Sequence, residues 1–407
     1  MSANVLVAGG GIGGLAAALA CSRAGSPVRL WERGQAFGEV GAGIQIGPNV
    51  TRVLQRWGLA GALAGVAAFP SHLQVRSAVS GRELGVLRLG ETARQRYGAP
   101  YATLHRADLH QLLRNAVQAQ ADTELELHRV LAGFTQTPQR VNARDTEGGA
   151  IEADVLVGAD GLWSVVRQGL LGDGPPRSTG HLAYRALVAQ ASLPAQLRSQ
   201  HITAWLGPDL HLVQYPVRGG AWLNVVGIVH ARVPASRHAD GLQPDDGATD
   251  PARWDQPTTA AHLRAALAGT CAPLQDLVNA MDTWRRWVLC DRPPVQGAGQ
   301  MVQGRVALLG DAAHPMRPYL AQGAGMAIED AAELGRVLAG APADPNAALR
   351  AYAGARWQRN ARVQARSVRN GRIFHARGWL RIGRDLALGA LGERLLDLPW
   401  LYRAGPI

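Results

Sequence analysis

The stretch Val5-Leu6-Val7-Ala8-Gly9-Gly10-Gly11-Ile12-Gly13-Gly14, close to the amino terminus, decides the fold of this chain. Its apolar start predicts a buried parallel strand, and the alanine- and leucine-rich segment 15–24 predicts a helix. A strand and a helix joined by a glycine-rich turn form the first half of a dinucleotide-binding unit.

The glycines of this turn follow the pattern G-x-G-x-x-G at Gly9, Gly11 and Gly14. The first glycine allows a tight turn, the second lets the backbone approach a pyrophosphate, and the third lets helix and strand pack closely. The phosphates then lie against free N–H groups at the helix N-terminus. A second strand, residues 28–31, leads into Glu32-Arg33, and the carboxylate of Glu32 is placed to bind a ribose. A glycine turn without a ligand is the alternative, and the ordered strand, turn, helix and acid disfavour it.

The composition indicates a globular protein with two sizeable cores, since 47% of its 407 residues are hydrophobic. Its three cysteines, Cys21, Cys271 and Cys290, show no paired spacing, so we expect a reducing compartment, no disulfide framework and no metal site. No signal peptide is evident, and the longest uncharged apolar segment, residues 58–69, is too short to span a bilayer. We therefore expect a cytoplasmic protein without stable membrane insertion.

The net charge of +11 comes entirely from arginine, because the chain contains no lysine. This excludes lysine Schiff-base chemistry and a P-loop lysine. One group of arginines near the carboxyl terminus has helical spacing: Arg356, Arg359, Arg362, Arg366, Arg369 and Arg372. The group predicts either a surface for nucleic acid or anionic lipid, or a solvated helix face that pairs with acids of a partner subunit. Because no interleaved aromatics or nucleic-acid motif accompany it, we expect the solvated face and no nucleic-acid partner.

Two further glycine-acid motifs follow the first at intervals of about 150 residues. They are Gly158-Ala159-Asp160-Gly161 and Leu309-Gly310-Asp311-Ala312-Ala313-His314-Pro315. In this order the three motifs resemble those of the FAD-dependent aromatic hydroxylases of the para-hydroxybenzoate hydroxylase type, the single-component flavoprotein monooxygenases. The resemblance implies bound FAD, NADH or NADPH as a transient reductant, and transfer of oxygen from O2 through a flavin C4a-hydroperoxide.

The same resemblance implies an α/β fold, with a Rossmann-like FAD-binding domain, an inserted α+β substrate domain and C-terminal helices. The motifs are scattered over residues 5–330, so the substrate region is inserted rather than appended. Alternating segments near 203–205, 211–217 and 222–229 predict its strands, and residues 258–282 predict helix. The boundaries that we assign are 1–72, 98–180 and 283–345 for the FAD-binding domain, 73–97 and 181–282 for the substrate domain, and 346–407 for the helical region.

Individual FAD contacts are implied by the resemblance. Arg106 is similar to the family arginine that contacts FAD, and the backbone of Val130 to the position that meets the adenine. Asp160 corresponds to a family position at which the flavin and nicotinamide pyrophosphates are both bound. Asp311 resembles the acid that binds ribityl or ribose hydroxyls, although an N-cap of the following segment is a second role for it.

The flavin ring is expected beside the end of the third motif. In the family, the helix start that Ala324 and Gly325 occupy faces the pyrimidine edge of the flavin. Its N–H groups and dipole would stabilise negative charge on the reduced ring. His314-Pro315 would lie beside the reacting flavin carbon.

A closer resemblance is to 3-hydroxybenzoate 6-hydroxylase, salicylate hydroxylase and 6-hydroxynicotinate 3-monooxygenase, carried by residues 38–49, 211–216 and 316–323. Gln45, which we place in the cofactor site, agrees with the first enzyme, whereas Pro318 agrees with the other two. The resemblance implies a small aromatic carboxylate substrate, and 6-hydroxylation of 3-hydroxybenzoate is the expected reaction. Decarboxylating hydroxylation of salicylate, 3-hydroxylation of 6-hydroxynicotinate and a homodimer remain open. Four arginines are candidates for binding the carboxylate, without a ranking: Arg76, Arg185, Arg218 and Arg317.

His211 and Tyr215 are four residues apart in a predicted strand, so their side chains project from the same face. The expected reaction attacks a phenolate faster than a phenol. A histidine that titrates near neutrality, linked to a tyrosine or to the substrate hydroxyl, can remove the phenolic proton. The alternative is a satisfied core histidine beside a packing aromatic. At the level of the whole protein, a flavin dehydrogenase or oxidase and a flavin-binding sensor remain the competing classes.

Overall fold

The predicted strand at the amino terminus, β1 (Val5–Ala8), lies inside a six-stranded sheet. The computed structural model describes residues 2–38, 43–231, 256–340 and 344–405. In spatial order the strands of this sheet are β18 (Val302–Gln303), β19 (Val306–Leu308), β11 (Val155–Gly158), β1, β2 (Val28–Trp31) and β7 (Thr123–Glu126). All neighbours are parallel except the first pair. Every residue of β1 and β11 is buried, which explains their apolar sequences.

Helices cover this sheet. α1 (Ile12–Arg23) begins directly after the glycine turn and packs against α5 (Arg106–Gln118) and α9 (Gly323–Gly340). The other helices of the first 300 residues are α2 (Pro48–Arg56), α3 (Ala60–Val66), α4 (Gly90–Tyr97), α6 (Val165–Leu171), α7 (Ala261–Ala266) and α8 (Ala272–Asn279). The Rossmann-like arrangement expected from the sequence is confirmed.

A second, eight-stranded sheet is assembled from three separated parts of the chain. In spatial order its strands are β16 (Gln256–Thr258), β17 (Trp284–Asp291), β12 (Arg177–Ala189), β15 (Trp222–His230), β14 (Leu210–Val217), β13 (Ile202–Gly207), β4 (His72–Ser77) and β5 (Glu83–Arg88). All neighbours are antiparallel except β13 and β4. The predicted strands at 203–205, 211–217 and 222–229 are therefore confirmed as β13, β14 and β15.

Two details of this sheet differ from the sequence prediction. β17 pairs with β12, so the sheet continues to Asp291, beyond the predicted boundary at residue 282. The segment 258–282 is not one helix but the two short helices α7 and α8, because Gly269 has a φ of +84° and the chain turns there.

Two small sheets and the last helices complete the described fold. β3 (Gly43–Ile46) pairs with β6 (Ala102–His105), and β8 (Leu131–Gln136), β9 (Val141–Asp145) and β10 (Ala150–Ala153) form an antiparallel meander. The carboxyl-terminal helices are α10 (Pro345–Phe374), α11 (Gly378–Leu391), α12 (Glu393–Leu396) and α13 (Pro399–Tyr402). Within the described ranges, no helix combines the length and apolar character needed to cross a bilayer.

The arginine group on α10 is not a uniformly solvated face, and this part of the sequence prediction is wrong. Arg356 is only 3% exposed and forms ion pairs with Glu329 and Asp330 of α9. Arg359 also pairs with Glu329. α10 crosses α9, so its first arginines turn into the core, where two acids neutralise them.

Candidate cofactor and substrate site

The glycine turn holds β1 and α1 so closely that side chains are excluded. Gly9 has a φ of +107°, and a Cβ atom there would lie 2.5 Å from the carbonyl oxygen of Ala159. A Cβ atom on Gly14 would lie 1.8 Å from the carbonyl oxygen of Gly9. Gly11 is the N-cap of α1 and no side chain caps the helix, whose first turn also contains no acid. The N-terminus of α1 and the glycine turn before it therefore form a positively polarised phosphate cradle, which is suited to a diphosphate.

Glu32 lies at the edge of this cradle. Its Oε2 accepts a hydrogen bond of 2.6 Å from the N–H of Gly10, and its Oε1 accepts one of 2.7 Å from the N–H of Gly34. On the other side, His110 of α5 is buried, and its Nε2 lies 2.7 Å from the carbonyl oxygen of Gly10. The loop is thus fixed from two elements. Arg33, the next residue, is exposed.

Asp160 of the second motif is used as an internal hydrogen-bond acceptor. Its carboxylate accepts hydrogen bonds from the hydroxyl of Ser164 and from the N–H groups of Val165 (2.7 Å) and Val166 (3.1 Å). Burial raises the pKa of Asp160, and these donors act against that rise. Asp160 therefore organises the N-terminus of α6, a role that the sequence analysis did not assign to it.

The second and third motifs are joined by Arg167. Its Nη1 donates to the carbonyl oxygens of Ala312 (3.0 Å) and Ala313 (2.7 Å), and its Nη2 pairs with Asp173 at 2.6 Å. Arg167 is almost completely buried. Arg167, which follows the second motif on α6, thus brings the end of the third motif, about 145 positions later in sequence, to the same site.

The third motif is tied to α9 by His314. The side chains of His314 and Asp330 are closed to solvent, and His314 Nε2 lies 2.5 Å from Asp330 Oδ2. Among the described residues, no partner reaches the buried Nδ1 of His314. Asp311 is exposed at the same turn, and Leu309 rather than Asp311 occupies the N-cap position, so the capping alternative for Asp311 is wrong.

Asp330 and its neighbour Glu329 are the acids of a buried polar network. Asp330 Oδ1 accepts hydrogen bonds from Arg356 Nε (2.7 Å) and Asn360 Nδ2 (2.9 Å), and Glu329 Oε1 accepts one from Asn49 Nδ2 (2.7 Å). Burial alone would raise the pKa of Asp330, but His314 and Arg356 outweigh it and hold the pKa well below its usual range. Asp330 is therefore ionised, and the network fixes α9 against α2, α10 and the third motif.

The expected flavin-edge residues lie next to this network. α9 begins at Gly323, so Ala324 and Gly325 are in its first turn, which contains no acid. The carbonyl oxygen of Pro315 accepts a hydrogen bond of 3.0 Å from Gln364. A helix start with unsatisfied N–H groups and no acid suits an electron-rich ring edge.

The remaining predicted contacts lie on other parts of the chain. Arg106 is the first residue of α5, directly after β6. Val130 is 38% exposed, and its carbonyl oxygen accepts a hydrogen bond of 2.9 Å from Thr146. Gln45 on β3 is buried, and its Oε1 accepts a hydrogen bond of 2.8 Å from the hydroxyl of Tyr101. Residues 39–42 of the passage 38–49 lie outside the described residues.

His211 and Tyr215 lie on β14 as predicted, and both are buried. His211 Nδ1 lies 2.7 Å from Nε2 of His375, and the ring of Tyr319 packs edge-on against His211 at 5.0 Å between centroids. Burial, followed by the charge of His181, lowers the pKa of His211 to about 3. The expectation that His211 titrates near neutrality is therefore wrong: it is a neutral imidazole at physiological pH.

Comparison with known proteins agrees with this geometry. Residues 2–367 match the family model described as "FAD binding domain". The chain is 39% identical over 400 residues to 3-hydroxybenzoate 6-hydroxylase of Polaromonas naphthalenivorans (strain CJ2), covering 98% of this chain and 95% of the relative. It is 38% identical over 407 residues to a 3-amino-4-hydroxybenzoate 2-monooxygenase of Streptomyces platensis, covering 99% and 97%.

This chain belongs to the single-component FAD-dependent hydroxylases. The crystal structure of Klebsiella pneumoniae HpxO, complexed with FAD and uric acid, has the same fold. It superposes with a TM-score of 0.83 at 26% identity, covering 99% of this chain and 97% of HpxO. The protein is therefore an oxidoreductase, and its cofactor is FAD.

The residues present in this hydroxylase fit FAD. The turn has no room for a Cβ atom at Gly9 or Gly14, and no side chain caps the start of α1. Both features suit the binding of a diphosphate. The partnerless, buried Nδ1 of His314 lies in the motif expected beside the ring. Within the described ranges, no group of three or more His, Cys, Asp or Glu side chains has a geometry that would hold a metal ion.

Sequence reasoning missed the residues that hold this site together. His110 and Asp330 bind a motif backbone or side chain, yet neither lies in a pattern with a chemical signature. Arg167 follows the second motif in the sequence, but its position there gave it no role. The available signal was weak. Glu329-Asp330 is an acidic pair inside an otherwise apolar helical run, and buried acids of this kind are paired when they occur.

Proposed function

We propose that this hydroxylase adds a hydroxyl group to the ring of a small hydroxybenzoate, with 3-hydroxybenzoate as the leading substrate and with NADH or NADPH and O2 as co-substrates. The names of the relatives support a hydroxybenzoate. Support from the chain itself comes from one buried arginine, Arg185 of β12, near Tyr215.

Arg185 ranks first among the four candidate arginines for the substrate carboxylate. Its side chain is buried, and its guanidinium stacks on the ring of Trp287 at 5.1 Å. Burial raises the pKa of Tyr215, and the charge of Arg185 opposes that rise, so the two side chains interact electrostatically. A guanidinium fixed on an aromatic face is suited to binding a planar carboxylate.

The other three candidates make contacts of a different kind. Arg317 Nε donates to Asp291 at 2.7 Å, and Arg76 Nε donates to the carbonyl oxygen of Gly81 at 2.9 Å. Arg218 lies 3.5 Å from Asp108, and 44% of its side chain is exposed. A surface ion pair of this kind contributes little to a buried binding site.

The neighbourhood of Tyr215 offers polar groups for the rest of a hydroxybenzoate. Asn224 Oδ1 accepts a hydrogen bond of 2.7 Å from the N–H of Gly43, and among the described residues its buried Nδ2 has no partner. A Cβ atom on Gly43 would lie 2.6 Å from the Tyr215 ring, so β3 closes tightly over this side. Tyr215, Asn224 and Arg185 together would orient a planar acid on the sheet.

The bound FAD supplies the redox chemistry, taking electrons from NAD(P)H and activating O2. The chain's own residues orient the substrate, exclude water and handle the phenolic proton. Neutral His211 accepts that proton as the phenolate forms, and Tyr215 holds the phenolic oxygen.

A panel of hydroxybenzoates tests the proposal. Purified enzyme, NADH or NADPH and each acid are incubated in air, and products are identified by mass spectrometry and NMR. We expect 2,5-dihydroxybenzoate from 3-hydroxybenzoate. Catechol and CO2 from salicylate would instead support the decarboxylating alternative, which Pro318 favours. Loss of NADH with no hydroxylated product from any acid would overturn the proposal in favour of an oxidase or dehydrogenase.

The same assay settles the choice of reductant, since initial rates with NADH and NADPH are compared directly. We also propose that the enzyme acts in the cytoplasm, where NAD(P)H is available.

A further inference from the structure

The carboxyl-terminal helices carry a large apolar face that is open to solvent. This face, which we call the α11 face, is formed by Trp379, Leu380, Ile382, Leu386 and Leu391 of α11 and Leu395 of α12. Trp379 is 86% exposed, Leu380 78% and Leu386 63%. Together the six residues expose roughly 700 Å², whereas the largest apolar patch of a typical monomer covers about 300–600 Å². A face of this size indicates an interaction site.

The helix α11 is amphipathic, but it turns its apolar side outward. Positions 379, 383, 386, 387 and 390 follow at intervals of three and four, so they lie on one side of the helix, and none of them carries a charge. The polar side faces the protein. Arg384 is almost completely buried, and its Nη1 donates to the carbonyl oxygens of Ile373 (3.1 Å) and Phe374 (2.7 Å) at the end of α10. The polar residues of α11 thus serve the fold, and its apolar residues are left for a partner.

We propose that the α11 face is the contact between two copies of this chain, which pack their α11 helices antiparallel about a two-fold axis. The inference goes beyond the proposed function and does not depend on the substrate. It names the surface that a homodimer would use. The roughly 700 Å² of the face also approaches the area that each partner buries in a stable interface, about 800 Å².

The shape of the α11 face is complementary to itself, as a two-fold contact requires. Gly383 and Ala387 lie one turn apart in the middle of the helix, and a Cβ atom on Gly383 would meet nothing within 4 Å. With the two-fold axis at this point, Gly383 of one protomer lies opposite Ala387 of its partner, and Trp379 lies opposite Leu391. The small central residues let the two helices approach closely, and the large residues at the ends cover one another.

The charges around the α11 face favour a second copy over a membrane. Helices that lie on anionic membranes carry Lys and Arg beside the apolar face, where these residues reach the lipid head groups. On α11 the guanidinium of Arg384 points into the protein, and Arg377, at the N-cap, is paired with Asp209. Arg381 comes two positions after Trp379 and therefore lies on the opposite side of the helix.

The α11 face lies close to the substrate sheet. α11 packs against β5, the edge strand of that sheet, and Arg384 fixes it to the end of α10. The ring of Phe374, in the last turn of α10, packs edge-on against His211 at 5.3 Å between centroids. A second copy on the α11 face would therefore hold in place a helix that supports the surroundings of His211.

Sedimentation equilibrium of the FAD-loaded enzyme over a range of protein concentrations tests the proposal. We expect the wild type to be a dimer and Gly383→Arg to be a monomer. The added side chain meets nothing within its own protomer, so the variant folds, but it fills the centre of the contact. The Kd of the dimer should rise at least about a hundredfold, because each change occurs twice in a two-fold contact. Trp379→Glu, which removes the most exposed apolar side chain, should have the same effect.

Gly354→Arg is the matched control. Gly354 is an exposed glycine on α10, and nothing lies within 4 Å of its Cβ position. This variant should keep the wild-type Kd of the dimer. Circular dichroism and the ratio of FAD to protein verify that each variant is folded and loaded with the cofactor.

Two outcomes of sedimentation would overturn the proposal: a wild type that stays monomeric at every concentration, or a Gly383→Arg variant that dimerises as the wild type does. Salt gives an independent readout. Each copy carries a net charge of +11, so added salt should strengthen an apolar contact between copies. Flotation with phosphatidylglycerol vesicles tests the membrane. Vesicle binding that salt weakens and that Trp379→Glu abolishes would overturn the dimer in favour of a lipid surface.

Discussion

Asp330 Oδ2 lies 2.5 Å from His314 Nε2, and neither side chain is exposed to solvent. This contact joins the third glycine-acid motif to the helix whose start is expected at the flavin edge. Asp330 also binds Arg356 of α10, so a single carboxylate holds three segments that meet at the cofactor.

Asp330→Asn should therefore weaken both the fold and FAD binding. Breaking one partner of a buried ion pair costs about 3–5 kcal/mol, because Arg356 is left without a full countercharge. The measurements are the free energy of unfolding in urea and the ratio of FAD to protein after gel filtration. Asp276→Asn, at an exposed position, is the control and should change neither. Unchanged stability in Asp330→Asn would show that the network is not needed.

Gly14→Ala should give colourless protein. The added methyl carbon would lie 1.8 Å from the carbonyl oxygen of Gly9, so α1 must move away from β1 and the phosphate cradle opens. Gly61→Ala in α3 is the control, because nothing lies within 4 Å of that Cβ position. Absorbance of bound flavin per protein chain is the readout, and full occupancy in Gly14→Ala would contradict the role given to the turn.

Arg185→Gln should weaken substrate binding without changing flavin content. A hydrogen bond to a charged group contributes about 1.5–3 kcal/mol, so the Kd for 3-hydroxybenzoate should rise roughly 10- to 150-fold. Quenching of flavin fluorescence by the acid measures Kd. Arg218→Gln is the comparison and should shift Kd much less. Equal shifts in both variants would remove the ranking of Arg185 above the other arginines.

His211→Ala should consume NAD(P)H while producing peroxide in place of hydroxylated product. Loss of a positioned base lowers the step that it serves by about a hundredfold to ten-thousandfold, whereas flavin reduction does not need the base. Higher pH should partly restore product, because solution then supplies phenolate. Tyr215→Phe should uncouple similarly but less, since its ring packing is kept. The ratio of product to NADH consumed is measured across pH. Wild-type ratios in both variants would show that His211 and Tyr215 only pack against their neighbours.

The buried imidazole should also make stability depend on pH. His211 has a pKa of about 3 when folded and 6.5 as its ordinary value, so the unfolded chain binds the proton first as pH falls. Stability is therefore greatest above pH 6.5 and should fall by up to about 1.4 kcal/mol per pH unit below it for such a histidine. Urea unfolding between about pH 6.5 and 5, where carboxylates stay ionised, should show a shallower slope for His211→Asn. An identical slope would refute the buried, neutral state.

The sequence predicted the parts of this site whose residues lie close to one another along the chain. Strand, glycine turn, helix and Glu32 lie within 30 residues of one another, so periodicity and glycine spacing alone identified the cradle. The strand positions of His211 and Tyr215 followed from alternation in the same way.

The electrostatics could not be predicted, because they depend on which distant side chains meet. Nothing in sequence pairs His211 with His375, 164 positions away, or shows that burial, followed by the charge of His181, lowers the pKa of His211. Arg356 looked solvated because its spacing matches that of the arginines after it. Only the crossing of α9 and α10 shows that it faces two acids.

The order of strands in the two sheets has a consequence for synthesis. β1 is synthesised long before its neighbour β11, which begins at Val155, and β11 is synthesised long before its own neighbour β19, which begins at Val306. Likewise, the β4 edge of the hairpin β4–β5 stays unpaired until β13, more than 100 residues later, has been synthesised. Such long-range pairing slows folding and leaves apolar strands uncovered in the nascent chain. The glycine turn is thus synthesised well before the strands that complete its sheet, so FAD can act as a ligand that selects finished chains from unfinished ones.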